Sequence, residues 1–264
     1  MKTKSDLIYG VSIWGCSSGG RAVRSQRTGQ GFESPHLHFG INLLPLETHQ
    51  TKTETDMVGF KISYPPTDMK RTAEISRKTE ETDVYIKVDL DGQGSSRIDT
   101  GIPFMDHMLG FLGLHGFMDI ELKAKGDIEV DYHHTVEDIG ICMGHALRDA
   151  LGDKTAIRRY GEVTIPMDET LVRVVMDLSG RPMLVYRVSL PVRMSGSFDV
   201  GLVREFFQAV VNNAGITMHI DLISGDDPHH IAEAMFKAFA RALDMACSME
   251  GRMADRIPST KGIL

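Results

Sequence analysis

An internal repeat constrains this chain more than any other feature. Glu81 to Gly92 matches Glu169 to Gly180 at six of twelve positions, at an offset of 88 residues. The block His133-His134-x-x-Glu137 returns as His229-His230-x-x-Glu233, at an offset of 96. Behind it, Ala146, Leu147 and Ala150 return as Ala242, Leu243 and Ala246. The blocks keep the same order, so the core reads as a tandem duplication, about 74–155 and 160–250.

Each half carries the same coarse plan. Val84, Ile86 and Val88 alternate with polar residues, and Val172, Val174 and Met176 do the same. That period of two predicts strands with one buried face. Ile102–His115 and Val200–Ala214 read as helices, and Ile120–Leu122 and Thr217–Leu222 as strands. Val136, Ile139, Met143, Leu147 and Ala150 follow the 3–4 spacing of an amphipathic helix, as do Ile231, Met235, Phe239, Ala242 and Ala246. Strands followed by helices, twice, predict an α+β fold. The expected architecture is two mixed β-sheets, each with helices packed on one face.

The chain has 264 residues, 42% of them hydrophobic, enough for a sizeable core. Its apolar runs are far shorter than the ~20 residues of a membrane span. A net charge of -7 argues against a nucleic-acid partner. The cysteines, Cys16, Cys142 and Cys247, form neither a metal-binding pair nor a disulfide framework, which points to a reducing, cytoplasmic setting. Composition changes near Met69: residues 1–68 are rich in Gly, Ser, Thr and Pro and show little periodicity. Gly15–Val23 and Gly31–Pro35 can be back-translated into stretches resembling the D-arm and T-arm of a bacterial-type tRNA gene. Residues 1–68 therefore read as a non-native extension translated through an upstream tRNA gene, with an ordinary disordered extension as the alternative. The working domain is 69–264.

The His-His-x-x-Glu motif carries the chemistry. His133 and Glu137, four apart, share a helix face, whereas adjacent imidazoles diverge by about 100°. Each pair could thus serve two metals, or metals in two subunits. Imidazole plus carboxylate suits Mn, Fe, Ni or Zn. One such motif is commonly only a polar helix start; two copies at equivalent places in a duplicated fold point to ligands. His107 opens another helix, where the equivalent helix of the second half carries Glu205. His115, His145 and His219 are weaker candidates. Ser259, Thr260 and Lys261 place two hydroxyls and a cation on a short C-terminal stretch (251–264) suited to a phosphate, with Arg159 and Arg181 as further anion partners. Ligands of this kind also suit a dinuclear hydrolase, or a binding module whose metals only staple an assembly.

Taken together, the stretches Asp99–Leu109, His133–Asp138, Met167–Glu169, Asp177–Pro182, His229–Ala234 and Pro258–Gly262 resemble the imidazoleglycerol-phosphate dehydratase family. The resemblance covers about 70–264. It implies a metal-dependent hydro-lyase of histidine biosynthesis that dehydrates D-erythro-imidazoleglycerol phosphate to imidazole-acetol phosphate through a metal-bound imidazolate. It implies two Mn2+ per active site, at interfaces of a homo-oligomer whose trimers assemble into a shell of twenty-four subunits. The ligands it implies are His107, His133, His134, Glu137, His229, His230 and Glu233. Many members carry a His at the position that Glu205 occupies in this chain. Glu81 matches an acidic residue beside the substrate, and Arg159, Arg181, Ser259 and Lys261 match phosphate contacts. Some members place a Lys shortly before the second His pair, where this chain has Gly225-Asp226-Asp227-Pro228.

Overall fold

A computed structural model of the chain describes residues 70–264. The extension assigned to residues 1–68 lies outside the described residues. Two four-stranded sheets carry the duplication. In the first, β1 (Thr72–Lys78), β2 (Thr82–Asp89), β4 (Asp119–Gly126) and β3 (Ser96–Asp99) lie side by side in that order. Both β1 and β4 run antiparallel to β2, and β3 runs parallel to β4. The second sheet repeats this order with β5 (Tyr160–Met167), β6 (Thr170–Asp177), β10 (Thr217–Ser224) and β7 (Met183–Arg187). Its directions repeat as well.

The sheets are mixed because a parallel neighbour requires a crossover, and a helix supplies it. Helix α1 (Pro103–Gly116) links β3 to β4, and α3 (Leu202–Ala214) links β7 to β10. A second helix follows each sheet, α2 (His133–Leu151) and α4 (Pro228–Cys247). Only the second half adds a short ribbon, β8 (Met194–Ser195) with β9 (Phe198–Asp199). The helices and strands expected from periodicity all form, with ends shifted by a few residues.

Alternation decides which sheet face meets the helices. Thr82, Val84, Ile86 and Val88 of β2 are buried while Asp83 and Lys87 are exposed, and Thr170, Val172, Val174 and Met176 are buried on β6. Helix α2 covers β1 and β2, and α4 covers β5 and β6. The remaining two helices cross over: α1 packs on α4 of the other half, and α3 packs on α2. The halves therefore share one core, in which Phe206, Phe207, Phe236 and Phe239 pack ring on ring with centroids 5.1–5.3 Å apart. Each fully buried phenylalanine contributes about 1.5–3 kcal/mol.

Close approach of the layers depends on glycine at two seams. On α2, a Cβ at Gly140 would stand 2.7 Å from the Phe206 carbonyl oxygen, and one at Gly144 would stand 2.7 Å from the Asn213 Cβ. At Gly161 on β5 it would lie 1.9 Å from the Ala242 carbonyl oxygen of α4, a backbone atom that cannot swing away. Gly161→Ala is expected to cost about 1–3 kcal/mol, the range for overpacking a filled core. Chemical denaturation checks this, and an unchanged midpoint would show that α4 yields more easily than its packing implies.

Candidate functional site

Both histidine pairs sit in the first turn of a helix, and an aspartate sets each start. Asp227 caps α4: its carboxylate accepts from the backbone N–H of His229 (2.8 Å) and His230 (3.2 Å), and Pro228 occupies the first turn. In the first half, Asp131 accepts from the His133 backbone N–H at 2.7 Å. The rings of each pair stand nearly perpendicular, at 86° for His133 and His134 and 81° for His229 and His230. Adjacent imidazoles therefore face different directions, as the helical geometry requires.

The first member of the second pair enters a compact group. His107 of α1 meets His229 and Glu233 of α4, and one ligand atom from each lies within 4.8 Å of the others. The Glu233 Oε2 atom is 3.3 Å from His229 Nε2 and 3.6 Å from His107 Nε2. Its Oε1 accepts from Lys237 Nζ at 2.5 Å, and that ammonium also sits 5.0 Å from the centre of the Phe111 ring. Burial by itself would raise the Glu233 carboxyl, but Lys237 and the two imidazoles hold it below its ordinary value. A buried, ionised carboxylate facing two imidazole nitrogens is a donor set suited to a divalent transition metal. Among the described residues this is the one group of three such ligands.

The equivalent place in the first half is more open. His133 Nε2 lies 3.9 Å from Glu137 Oε2, with both side chains about half exposed. Glu205 lies in the first turn of α3, and among the described residues it joins neither this pair nor any other metal-binding group.

The second member of each pair turns its Nδ1 to a carboxylate. His230 Nδ1 is 2.8 Å from Glu169 Oε2, and its Nε2 is 3.9 Å from Asp168. His134 Nδ1 is 3.0 Å from Asp127 Oδ2 and 3.7 Å from Glu81 Oε2. The Asp127 contact raises the His134 pKa, and the Glu169 contact raises that of His230. The same contact, with the Thr170 hydroxyl, draws the Glu169 carboxyl down to about 2.

A second site lies at the C-terminus. An open cleft of about 800 Å³ is lined by Arg159, Tyr160, Arg181, Arg256, Ser259 and Lys261, among others, and no carboxylate lines it. Asp177 holds the Arg159 guanidinium through two bonds, at 2.6 and 3.0 Å, while Arg159 Nη1 donates to the Pro258 carbonyl at 2.7 Å. Arg159 thus ties the tail to the domain and still has N–H groups to spare. Four cations beside two hydroxyls, two of the cations facing Asp177, are a lining whose chemistry suits an anion.

Comparison with known proteins places the chain in a family. Residues 100–243 match the family model of imidazoleglycerol-phosphate dehydratase. The dehydratase of Geobacter sulfurreducens is 55% identical over 196 residues, which is 74% of this chain and all of that protein. This chain belongs to the imidazoleglycerol-phosphate dehydratase family. It is therefore a hydro-lyase by family. A relative from Thioalkalivibrio sulfidiphilus is 54% identical over 195 residues, covering 74% of this chain and 99% of its own. Among solved structures, the imidazoleglycerol-phosphate dehydratase of Staphylococcus aureus superposes with a TM-score of 0.61 at 44% identity, over 67% of this chain and 99% of that one. A family structure from Pyrococcus furiosus gives 0.63 at 34% identity, over 72% and 100%.

Within this dehydratase chain, the residues expected as ligands fall into separate groups. His107, His229 and Glu233 come together; His133 stands by Glu137; His134 and His230 face carboxylates. Arg159, Arg181, Ser259 and Lys261 share the cleft, and Glu81 stands by His134. Sequence reasoning misses the roles of Glu169, Asp127, Lys237 and Arg256. Glu169 has a signal, since the 88-residue offset that ends at it begins at Glu81. Lys237 follows Glu233 at the i,i+4 spacing that favours an ion pair. Asp127 and Arg256 sit outside the repeat blocks and carry no such signal.

Proposed function

We propose that the chain removes water from D-erythro-imidazoleglycerol phosphate to give imidazole-acetol phosphate in histidine biosynthesis, with manganese held by its histidine pairs. The observation that carries this reading is the His107–His229–Glu233 group, built from a motif that the duplication preserves twice. The ligand set is completed by His133, His134, Glu137 and His230, for two Mn2+ per site. A bound divalent cation supplies Lewis acidity toward the substrate's imidazole ring.

The chain's own residues account for the rest. The reaction takes hydroxide from the carbon bearing the imidazole and a proton from the neighbouring carbon; together these leave as water. The double bond formed is an enol, which tautomerises to the ketone. Glu81 is the carboxylate that moves the proton, half exposed and 3.7 Å from His134. Arg159, Arg181, Ser259 and Lys261 hold the phosphate, which fixes the three-carbon chain between its two ends.

The spacing of the two sites supports a homo-oligomer. The Arg159 backbone N–H donates to the Ala246 carbonyl near the C-terminal end of α4, whereas Glu233 lies in that helix's second turn. At 1.5 Å per residue the two are about 20 Å apart. That gap is far longer than an imidazole bearing a three-carbon phosphate. A second copy that supplies one of the two sites would bring both within reach of one substrate. Trimers building a 24-subunit shell, with sites at their interfaces, meet that requirement. Among the described residues no helix is long and apolar enough to cross a membrane. The buried, free thiols of Cys142 and Cys247 suit a reducing compartment, and on that ground we assign the assembly to the cytoplasm.

The test is turnover by the full chain, stripped of metal and then refilled with Mn(II). Ketone product is expected only after refilling. A folded, Mn-loaded protein that makes no ketone would sink the proposal.

A further inference from the structure

The duplication supplies an internal control, because equivalent residues in the two halves have different partners. Glu81 and Glu169 are equivalent, and each occupies the turn before an inner strand of its sheet, β2 or β6. Their neighbours Thr82 and Thr170 are equivalent too, as are His134 and His230.

In the second half the glutamate is locked. One oxygen of Glu169 lies 2.8 Å from His230 Nδ1; the other accepts from the Thr170 hydroxyl at 2.8 Å and faces the Asp227 backbone N–H at 3.4 Å. In the first half both locks are taken by other residues. Asp127 bonds His134 Nδ1 at 3.0 Å, and Glu81 stands off at 3.7 Å. The Thr82 hydroxyl donates to Asp138, which also pairs with Arg77, and not to Glu81. Among the described residues the Glu81 carboxylate accepts no hydrogen bond.

We infer that the two equivalent glutamates have divided their labour: Glu169 is a positioning residue that orients His230, Asp127 has taken over that task for His134, and Glu81 is thereby released. An ionised carboxylate can only accept, so each bonded Nδ1 carries a proton, and in the neutral ring Nε2 is left with the free lone pair. The carboxylate also fixes the ring's rotation and strengthens the ring as a donor. The inference rests on the metal-binding reading above, but it concerns the aim of the imidazoles, not turnover.

The experiment is Mn(II) titration of the full-length, metal-stripped chain, read by electron paramagnetic resonance of the free ion. Glu169→Gln keeps the size and removes the charge; it is expected to weaken Mn(II) binding about 10–100-fold, the usual effect of losing such a partner. Asp127→Asn should do the same. Glu81→Gln should bind Mn(II) as the parent does. Combining Glu81→Gln with Asp127→Asn should cost more than Asp127→Asn alone, because Glu81 stands near enough to replace Asp127. A merely structural role for Glu169 would lower the melting temperature without changing Mn(II) affinity, whereas a positioning role predicts that Glu169→Asp, which keeps the charge, binds Mn(II) more tightly than Glu169→Gln. Parent-like affinity in Glu169→Gln overturns the inference, as does equal loss in Glu81→Gln, or a parent chain that binds no Mn(II). A parent that binds Mn(II) with this pattern but makes no ketone would refute the dehydratase proposal alone.

Discussion

Glu81→Gln is expected to lower kcat by about 10²–10⁴-fold, the contribution of a positioned acid or base. The change keeps the side chain's shape and removes its ability to take a proton. Little else depends on that carboxylate. Asp127 already holds the His134 imidazole, and Asp138 already holds the Thr82 hydroxyl. The side chain is 55% exposed, so no buried charge is left unpaired by the substitution. Folding and metal content should therefore match the parent, and KM should change far less than kcat. Steady-state kinetics on metal-loaded protein decides the matter. A kcat within a factor of a few of the parent would remove Glu81 from the proton step and return attention to the other carboxylates near the histidine pairs.

Much of this arrangement is legible in the sequence because a duplication writes each element twice. The alternation in β2 and β6 and the 3–4 spacing in α2 and α4 follow from residues that bury one face, and those elements form where expected. The short strands β3 and β7, four and five residues long, lack that pattern. They lie at sheet edges beside a single neighbour, so few buried positions mark them.

The site is legible as a set of residues but not as groups. His107 and Glu233 lie far apart in sequence, and they meet because α1 packs on the α4 of the other half. Periodicity finds helices and says nothing of which helix takes which partner. The same limit hides Asp127: the turn between β4 and α2 has no counterpart in the repeat blocks, and only folding brings its carboxylate onto His134. Expectation for Glu205 rests on the equivalence of α1 and α3 and on the His that many members of the family carry at that position. That equivalence holds for the backbone, yet among the described residues His107 joins a metal-binding group and Glu205 does not.

The same asymmetry sets the remaining prediction. His229→Ala is expected to lower Mn(II)-dependent turnover about 10³-fold or more. Metal assistance is worth several kcal/mol in the transition state, and each 1.36 kcal/mol is tenfold in rate. Stability should hold, since the His229 side chain is 40% exposed and its loss leaves Glu233 paired with Lys237. Glu233→Gln should behave differently. Glu233 is 7% exposed and Lys237 is bonded to it, so neutralising the carboxylate strands a mostly buried ammonium. Breaking a buried pair from one side costs about 3–5 kcal/mol; with Lys237 partly exposed, the lower end applies. Thermal melts beside kinetics separate the two variants: His229→Ala should lose turnover at a parent-like Tm, and Glu233→Gln should lose both. If His229→Ala keeps turnover, the His107–His229–Glu233 group is not the metal site. If Glu233→Gln melts with the parent, the Lys237 pair is already solvated and Glu233 is free to bind a metal without a competitor.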